Sequence, residues 1–279
     1  MAVRVVTDSS CDLPVARAAE LGIEIVPLTI RFGNEEFVDR IELTNEEFWT
    51  KVATSEVLPE TAAPSAGAFE ETFQRLAADG ADGIVCINLS SRLSATMQSA
   101  QVAAKALKGT CPVEVVDSMM VSMGLGLQCI NAVRLSNEGN DLDSIARATA
   151  DQARRTRLLG ALDTLEHLRR GGRIGAAQAL LGGMLSIKPV IEVRDGAVAE
   201  AGKVRTRSKS LKLLADKLAE AKDPEQVFVF DAQAPDVEEM IELIAPIVAR
   251  DQIEFGTIGP VIGTHAGPRT IGLGWVDAP

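Results

Sequence analysis

The side chains best suited to chemistry are hydroxyls and carboxylates in three loops and one imidazole near the C-terminus. Each loop follows an apolar, strand-like run; the loops read TDSSCD (7–12), NLSSRLS (88–94) and VDSMMVS (116–122). His265 lies in the glycine-rich stretch GTHAGPRTIG (263–272), which we interpret as a turn between apolar strands. Serine and aspartate commonly cap helices, so capping explains most of the loop side chains. Such loops also present backbone N–H groups at helix N-termini, which favours carboxylate or phosphate binding over proton transfer.

Motifs for other common chemistries are absent from the sequence. There is no P-loop, no His-Glu-x-x-His and no Gly-x-Ser-x-Gly. The stretch GLGLQC (124–129) is a broken Gly-x-Gly-x-x-Gly inside a predicted helix, where packing explains the glycines. The only other histidine, His167, is interpreted as a surface helix residue. Two distant histidines cannot build a usual zinc site, so we expect no metal.

Charge and cysteine usage restrict the partners. The 279 residues carry a net charge of −11, which argues against nucleic acid and against passive adhesion to anionic lipid. The four cysteines are scattered, which predicts reduced thiols. The sequence starts without a signal-peptide pattern, and no apolar run approaches the roughly 20 residues of a membrane span. We therefore expect a cytoplasmic protein.

The positive charge is concentrated in one segment. Between Arg154 and Lys212 there are 13 Lys and Arg against 5 Asp and Glu, a balance of +8 that leaves −19 for the remainder. The clusters are Arg154, Arg155, Arg157; Arg169, Arg170, Arg173; and Lys203, Arg205, Arg207, Lys209, Lys212. A solvated helix face explains any single cluster. Three clusters in one segment also fit a docking or phosphate-handling surface.

In the first half of the chain, apolar β-branched runs alternate with helical patterns. We predict strands at 2–8, 23–32, 83–90 and 113–118, and helices at 14–22, 44–54, 65–80, 94–107 and about 122–136. Thr44 and Glu47 fit a capping box at the start of the second helix. This alternation predicts a parallel sheet covered by helices on both faces, with ligands beyond the carboxyl ends of its strands.

The second half changes character. A strand, a helix and a Gly-Gly-Arg turn span 157–175, and two strands over 185–205 are joined by Asp195-Gly196, a strong hairpin signal. The remaining predicted elements are a basic helix (208–221), a strand (226–232), an amphipathic helix (235–250) and closing strands (252–277). The predicted fold class is therefore α/β with two domains: an N-terminal α/β/α parallel-sheet domain over 1–155 and a smaller α/β domain with a mixed sheet over 156–279.

Seven segments that together span essentially the whole chain carry a family resemblance. They are VVTDSSCDLP (5–14), TAAPSAGAFEETFQRL (61–76), INLSSRLSATMQSA (87–100), VVDSMMVSMGLGL (115–127), LDTLEHLRRGGRI (162–174), LLGGMLSIKPVI (180–191) and GTHAGPRTIG (263–272). In this order they resemble the DegV family of bacterial fatty-acid-binding proteins. The chain departs from the usual family pattern at TAAPS (61–65), at SATMQ (94–98) and at Arg269, where the family reads Thr-Ser-Gln-Pro-Ser, Ser-Gly-Thr-Tyr-Gln and often glycine.

The resemblance implies a ligand and its site. Family members enclose one long-chain fatty acid in an apolar tunnel between the two domains, with no other cofactor. The contacts to the fatty acid carboxylate fall here on Thr61 and Ser94, with His265 and its glycine-rich turn close by. Ser91 is a weaker candidate in the same loop as Ser94.

The resemblance also implies partners. The best-understood members are non-catalytic carriers that present the bound acid to a separate, dihydroxyacetone-kinase-like fatty acid kinase, which makes the acyl phosphate. Arg173, Arg205 and Arg207 would then face the acidic partner or the transferred phosphate. The resemblance leaves room for transient contact with a membrane.

One alternative from a different class stays open. A lipid-acting serine hydrolase could use Ser94 or Ser91 as nucleophile and His265 as base. The absence of a nucleophile elbow and of an evident acid partner for the imidazole counts against this alternative.

Overall fold

The computed structural model describes residues 3–107, 109–182 and 187–279 of the chain. It forms two compact units, Met1–Arg154 and Arg155–Pro279; the sequence placed the border one residue later. Residues 183–186 belong to the resembling segment 180–191 and include the start of the strand predicted from 185, and they lie outside the described residues.

The first unit alternates strands and helices, as the apolar periodicity predicts. Its elements are β1 (Val3–Asp8), α1 (Val15–Glu20), β2 (Ile23–Val26), β3 (Thr29–Phe32), β4 (Glu35–Val38), α2 (Asn45–Thr54), β5 (Glu60–Ala62), α3 (Ala66–Ala78), β6 (Gly83–Asn88), α4 (Thr96–Ala106), β7 (Val113–Asp117), α5 (Met123–Asn137) and α6 (Leu142–Arg155). A short 3-10 turn covers Ser9–Cys11. The capping box of Thr44 and Glu47 is present at the start of α2, which confirms that prediction.

Four of these strands form a parallel sheet in the order β2-β1-β6-β7. Successive residues of a strand face opposite sides, so Val5 packs with α5 and α6 while Val6 packs with α3 and α4. Phe69 and Phe73 of α3 are fully buried on the second face. The sheet is therefore covered on both faces, and the predicted α/β/α arrangement of this domain is confirmed.

The sequence did not anticipate a second, antiparallel sheet in the first unit, in the order β4-β3-β5. The single strand predicted over 23–32 is in fact β2 and β3, which belong to different sheets. Pro27 lies between them, and proline has no N–H to continue a ladder of hydrogen bonds. The break lets the chain leave the parallel sheet and start a new one, which includes Thr61 in β5.

The second unit is built on one mixed sheet. Its elements are β8 (Thr156–Ala161), α7 (Glu166–Arg170), a 3-10 segment (Gly175–Gly182), β9 (Lys188–Arg194), β10 (Ala197–Val204), α8 (Arg207–Ala219), β11 (Pro224–Asp231), α9 (Val237–Ile244), a 3-10 turn (Arg250–Gln252), β12 (Glu254–Thr257), α10 (Pro260–Ala266) and β13 (Ile271–Asp277). The strand order is β10-β9-β8-β13-β11-β12. Among the described strands of this sheet, only the β11 and β12 pair is parallel, so the predicted mixed sheet is confirmed.

Local signals in the second unit were also informative. Asp195 and Gly196 both have positive φ and join β9 to β10, as the hairpin signal predicts. Helices α8 and α9 bury Leu214 and Ile244 against strands of the sheet. No helix in the described part of the chain is long and apolar enough to cross a membrane.

Candidate ligand-binding site

Asp8, at the carboxyl end of β1, organises the neighbouring loop after β6. The carboxylate is fully buried. Its Oδ1 accepts hydrogen bonds from the Ser10 N–H at 3.1 Å and the Ser10 hydroxyl at 2.5 Å. Its Oδ2 accepts from Asn88 Nδ2 at 3.2 Å and from the Leu89 N–H at 2.9 Å. Burial raises the pKa of Asp8, and these donors oppose that rise. The side chain therefore fixes the start of the loop that carries Ser91 and Ser94.

The other polar residues of the loop after β1 connect it to further segments. The Ser9 hydroxyl accepts from the Leu28 N–H at 3.0 Å, just before β3. Asp12 Oδ2 accepts from the Ser122 hydroxyl at 2.6 Å, in the loop after β7. The Ser122 N–H in turn donates to the Ser10 carbonyl at 2.9 Å. We call Asp8, Ser9, Ser10 and Asp12 the polar hub. Its side chains are buried and hold loops in place, so most of the serines that looked like ligand contacts are scaffold.

Asp39 and Arg40, which follow β4, extend this hub. Asp39 is buried, and its N–H donates to the Leu28 carbonyl at 2.9 Å. Arg40 Nε lies 3.8 Å from Asp39 Oδ2, and Arg40 Nη2 lies 3.6 Å from Asp12 Oδ1. Burial raises the pKa of Asp39 to about 6, although the Ser9 hydroxyl and the Arg40 charge lower it. Neither Asp39 oxygen accepts a well-aligned hydrogen bond from the described residues. No motif in the sequence pointed to this pair.

The two candidate serines after β6, Ser91 and Ser94, have different hydrogen-bond partners. The Ser91 hydroxyl donates to Asp117 Oδ2 at 2.5 Å, and the Ser91 N–H faces the same carboxylate at 3.3 Å. Ser94 Oγ lies 2.9 Å from Thr96 Oγ1 and accepts from the Thr96 N–H at 3.3 Å. A hydroxyl has one proton to donate, so Ser91 is committed to Asp117, whereas Ser94 can direct its proton elsewhere when Thr96 donates to it.

Thr61 lies on a strand, where its position is well defined. It is half-buried in β5, opposite Ile30 of β3. Strand β3 follows Leu28, whose N–H is held by Ser9. The polar hub therefore supports both the sheet that carries Thr61 and, through Asp8, the loop that carries Ser94.

In the second unit, His265 lies in the last turn of α10. The interpretation of this stretch as a turn between two strands was therefore wrong for His265. Burial, the charge of Arg173 and the neighbouring His167 lower the pKa of His265 to about 4. The imidazole is therefore neutral at pH 7. His167 is not the surface residue that we expected, because its half-buried ring lies 3.3 Å from the Thr264 carbonyl through Nδ1.

The three candidate arginines occupy different environments. Arg173 follows α7, is partly buried, and donates to the Gly171 carbonyl at 2.6 Å. Arg205 is exposed between β10 and α8. Arg207 is paired with Asp236 through two bonds of 2.7 and 3.0 Å, and only 14% of its side chain is exposed. It also donates to the Ala161 carbonyl at 3.1 Å. The guanidinium of Arg207 is therefore largely used inside the unit, and less of it is available to a partner than of the exposed Arg205.

Many of the other basic groups between Arg154 and Lys212 are also paired. Glu166 binds both Arg169 and Arg170, and Asp163 binds Lys188. Further ion pairs are Arg154 with Asp151, Arg157 with Asp277, Arg194 with Glu192 and Lys212 with Asp216. The unbalanced positive charge is thus smaller than the sequence count indicates, since several of its carboxylate partners lie outside the segment.

The described residues give little support to a metal site or to a reactive cysteine. No group of three or more His, Cys, Asp or Glu side chains there could hold a metal ion. The four cysteines are buried, and burial raises the pKa of the Cys11 thiol to about 12. A thiol with so high a pKa is a poor nucleophile.

Fold and site together define a two-domain α/β protein with hydroxyls at the ends of parallel strands and a neutral, buried imidazole in the mixed-sheet domain. The chain belongs to the DegV family, since the model of that family, described as "Uncharacterised protein, DegV family", matches residues 2–278. A DegV domain-containing protein of Halalkalibacterium halodurans is 34% identical over 284 residues, which cover 98% of each chain.

Solved structures extend this similarity. The structure described as fatty acid binding of a DegV family protein from Thermus thermophilus matches with a TM-score of 0.91 at 31% identity and covers 100% of both chains. A fatty acid (stearic acid)-binding protein from Eubacterium ventriosum matches with a TM-score of 0.88 at 25% identity, over 99% of this chain and 98% of the other.

Proposed function

We propose that the chain is a non-catalytic carrier that binds one long-chain fatty acid and holds its carboxylate with Thr61, Ser94 and His265. The observation that carries the proposal is the full-length similarity to the Thermus thermophilus protein, which is described as binding fatty acid. The acyl chain would occupy the apolar tunnel that the family resemblance implies. Burying a chain of roughly 14–18 carbons contributes more than about 10 kcal/mol before ordering costs, at ~0.8 kcal/mol per CH₂.

The chemistry of the headgroup residues supports this assignment. A buried carboxylate must be hydrogen-bonded, and hydroxyl donors can do this without a fixed counter-charge. Ser94 can donate to the ligand while it accepts from Thr96. His265 would contribute a neutral hydrogen bond, because the pKa of its buried imidazole is about 4. We leave Ser91 out of the proposed contacts, because its proton is already donated to Asp117.

The serine hydrolase alternative is less well supported by the same groups. An imidazole with a pKa of about 4 is a weak general base at neutral pH. The Ser91 hydroxyl is bonded to a carboxylate and not to an imidazole.

We further propose that the carrier presents the bound acid to a fatty acid kinase, with Arg173 and Arg205 facing that partner or the transferred phosphate.

The test measures binding of a labelled long-chain fatty acid to delipidated protein, alongside mass spectrometry of the protein as purified. Thr61→Val and Ser94→Ala should each weaken binding roughly ten- to a hundredfold, the range for losing a hydrogen bond to a charged group. The double variant should lose less than the sum of the two free energies, since both residues contact one ligand.

Ser91→Ala is the matched control, because it removes a hydroxyl from the same loop and should change affinity less than threefold, about 0.6 kcal/mol. Wild-type protein that binds no fatty acid would overturn the carrier proposal. Wild-type affinity in the Thr61→Val/Ser94→Ala double variant would remove these residues from the site. Ester turnover that Ser94→Ala abolishes would favour the hydrolase.

A further inference from the structure

The two histidines of the chain pack reciprocally against glycines in the second unit. A Cβ placed on Gly171, which ends α7, would lie 2.3 Å from His265 Nδ1. A Cβ placed on Gly267, which ends α10, would lie 2.6 Å from His167 Cδ2. Neither glycine therefore has room for a side chain. Each imidazole therefore lies on the backbone of the turn that follows the other imidazole's helix. We call these four residues the histidine–glycine clasp.

His167 also makes the polar link between the two turns. Its Nδ1 lies 3.3 Å from the Thr264 carbonyl. That carbonyl belongs to the last turn of α10, where backbone acceptors lack partners within the helix. A carbonyl only accepts, so His167 must carry its proton on Nδ1 to make this bond. The ring therefore caps the C-terminus of α10, one residue before His265.

We propose that His167 is a positioning residue that fastens the last turn of α10 to the turn after α7 and thereby sets the orientation of His265. This inference rests on the proposed function for its effect on ligand binding, in which His265 contacts the headgroup. The clasp itself is a property of the chain without ligand and can be tested separately.

The charges around the clasp agree with this role. Burial is the largest cause of the lowered His265 pKa, followed by Arg173 and then His167. Burial and Arg170 lower the pKa of His167, whereas the Thr264 carbonyl and Glu166 raise it. The low pKa of His265 therefore depends on the ring staying buried against Gly171. If the clasp opens, water reaches the ring and the pKa of His265 rises toward its ordinary value of about 6.5.

Two variants of similar size separate the polar link from packing. In His167→Asn the amide nitrogen replaces Nδ1 and keeps a donor for the Thr264 carbonyl, whereas His167→Leu removes the donor. Each variant leaves His265 as the only imidazole, so its NMR titration is assigned without ambiguity. Both variants lose the small contribution of His167 to the lowered pKa of His265, so the comparison is between them. We expect the pKa of His265 to be at least one unit higher in His167→Leu than in His167→Asn. His167→Leu should weaken fatty acid binding roughly three- to tenfold, about one neutral hydrogen bond.

Gly171→Ala tests the packing without touching His167. Gly171 has a φ of −69°, which alanine adopts readily, so the main obstacle is the His265 ring, with the His167 carbonyl oxygen a lesser one at 3.2 Å. The variant should displace His265 and raise its pKa, whereas Gly67→Ala, whose Cβ meets nothing nearer than 3.7 Å, should not. An unchanged His265 titration in both His167→Leu and Gly171→Ala would overturn the inference. If wild-type protein binds no fatty acid, the proposed function fails, while the titrations still decide whether the clasp exists.

Discussion

The two units use their polar side chains in different ways. In the first unit, the carboxylates and hydroxyls of the polar hub are buried and bonded to neighbouring loops. In the second unit, most arginines and lysines are exposed and pair with nearby carboxylates, and two imidazoles pack on glycines. The polar residues of the first unit are therefore part of the scaffold. The charged side chains of the second unit lie mostly on the surface, and Arg207, the clasp and a few buried hydroxyls such as Ser210 are among the exceptions.

This difference indicates how a polar motif should be interpreted. A run such as TDSSCD follows a strand end and resembles a ligand site, yet its side chains hold loops together. Ser94 differs from these scaffold groups, since its hydroxyl can direct its proton elsewhere when Thr96 donates to it. A run of arginines resembles a docking surface, yet much of its charge is balanced by ion pairs, some within one helix and some between distant segments. In both units, residue type alone overstates the number of functional groups.

The largest expected loss of stability comes from a substitution in the polar hub. Asp8→Ala would leave the amides of Ser10 and Leu89, the Ser10 hydroxyl and Asn88 Nδ2 without their shared acceptor. Buried donors without partners are costly, so we expect the free energy of unfolding to fall by about 3–5 kcal/mol. Urea-induced unfolding measures this change.

Asp117→Ala is the matched control for Asp8→Ala. Asp117 also accepts bonds from a loop, namely from Ser91 and Met119, but water can reach this part of the chain because Ser91 is exposed. We expect a loss of about 1 kcal/mol. Equal losses in the two variants would contradict the view that the hub is a buried scaffold.

The second prediction concerns pH and Asp39. The folded protein holds the Asp39 proton more tightly than the unfolded chain, because burial raises the pKa from an ordinary value near 3.8 to about 6. Ionisation therefore weakens the folded state progressively as the pH rises from about 4, and the full penalty is present above pH 6. Asp39→Asn removes this penalty. The free energy of unfolding of Asp39→Asn minus that of wild type should therefore rise by up to about 3 kcal/mol between pH 4 and pH 8.

Urea unfolding of wild type and Asp39→Asn at several pH values measures the effect. Glu36→Gln, on the exposed strand β4 just before Asp39, controls for the loss of one negative charge. A stability difference between Asp39→Asn and wild type that is the same at pH 4 and pH 8 would show that Asp39 is not held in an unfavourable charged state.

The parallel sheet and its helices could be predicted because their signals are local. Apolar runs of strand length, helical periodicity, the Thr44 and Glu47 cap and the Asp195-Gly196 turn each act within a few residues. The break at Pro27 was missed because a single proline in an apolar run does not reveal that two sheets follow. The clasp was missed because the bond from His167 to Thr264 spans 97 residues of sequence.

The assignment of Thr61, Ser94 and His265 to a headgroup site rests on the family resemblance and stays a prediction, and the structure explains one departure from the family pattern. Arg269 has a φ of 61°, a conformation that favours glycine, which accounts for the frequent glycine there. The arginine instead pairs with Asp163, with its Nε 3.3 Å from a carboxylate oxygen. Which arginines are paired could not be read from the sequence, since Asp236 lies 29 residues after Arg207.

The smallest expected changes in the free energy of unfolding distinguish a paired arginine, Arg207, from an exposed one, Arg205. Arg207→Ala would break a bidentate ion pair with Asp236 and remove a donor from the Ala161 carbonyl. We expect the free energy of unfolding to fall by about 2–3 kcal/mol, as for hydrogen bonds to charged groups. Arg205→Ala should change it by less than about 0.5 kcal/mol, because Arg205 is exposed and forms no ion pair with the described residues. Chemical unfolding compares the two variants directly.

The same pair of variants sharpens the proposed partner surface. If Arg205 faces a fatty acid kinase, Arg205→Ala should slow kinase-dependent acyl phosphate formation at low salt, and the difference from wild type should shrink as salt screens the exposed charge. Fatty acid affinity should stay within about twofold of wild type, because the charge of the exposed Arg205 is screened by solvent and contributes little to binding energy. A salt-independent loss, or an equal loss of fatty acid binding, would place Arg205 at the headgroup. Arg207→Ala serves as the contrast, since its effect should follow the fraction of folded protein and not the salt concentration.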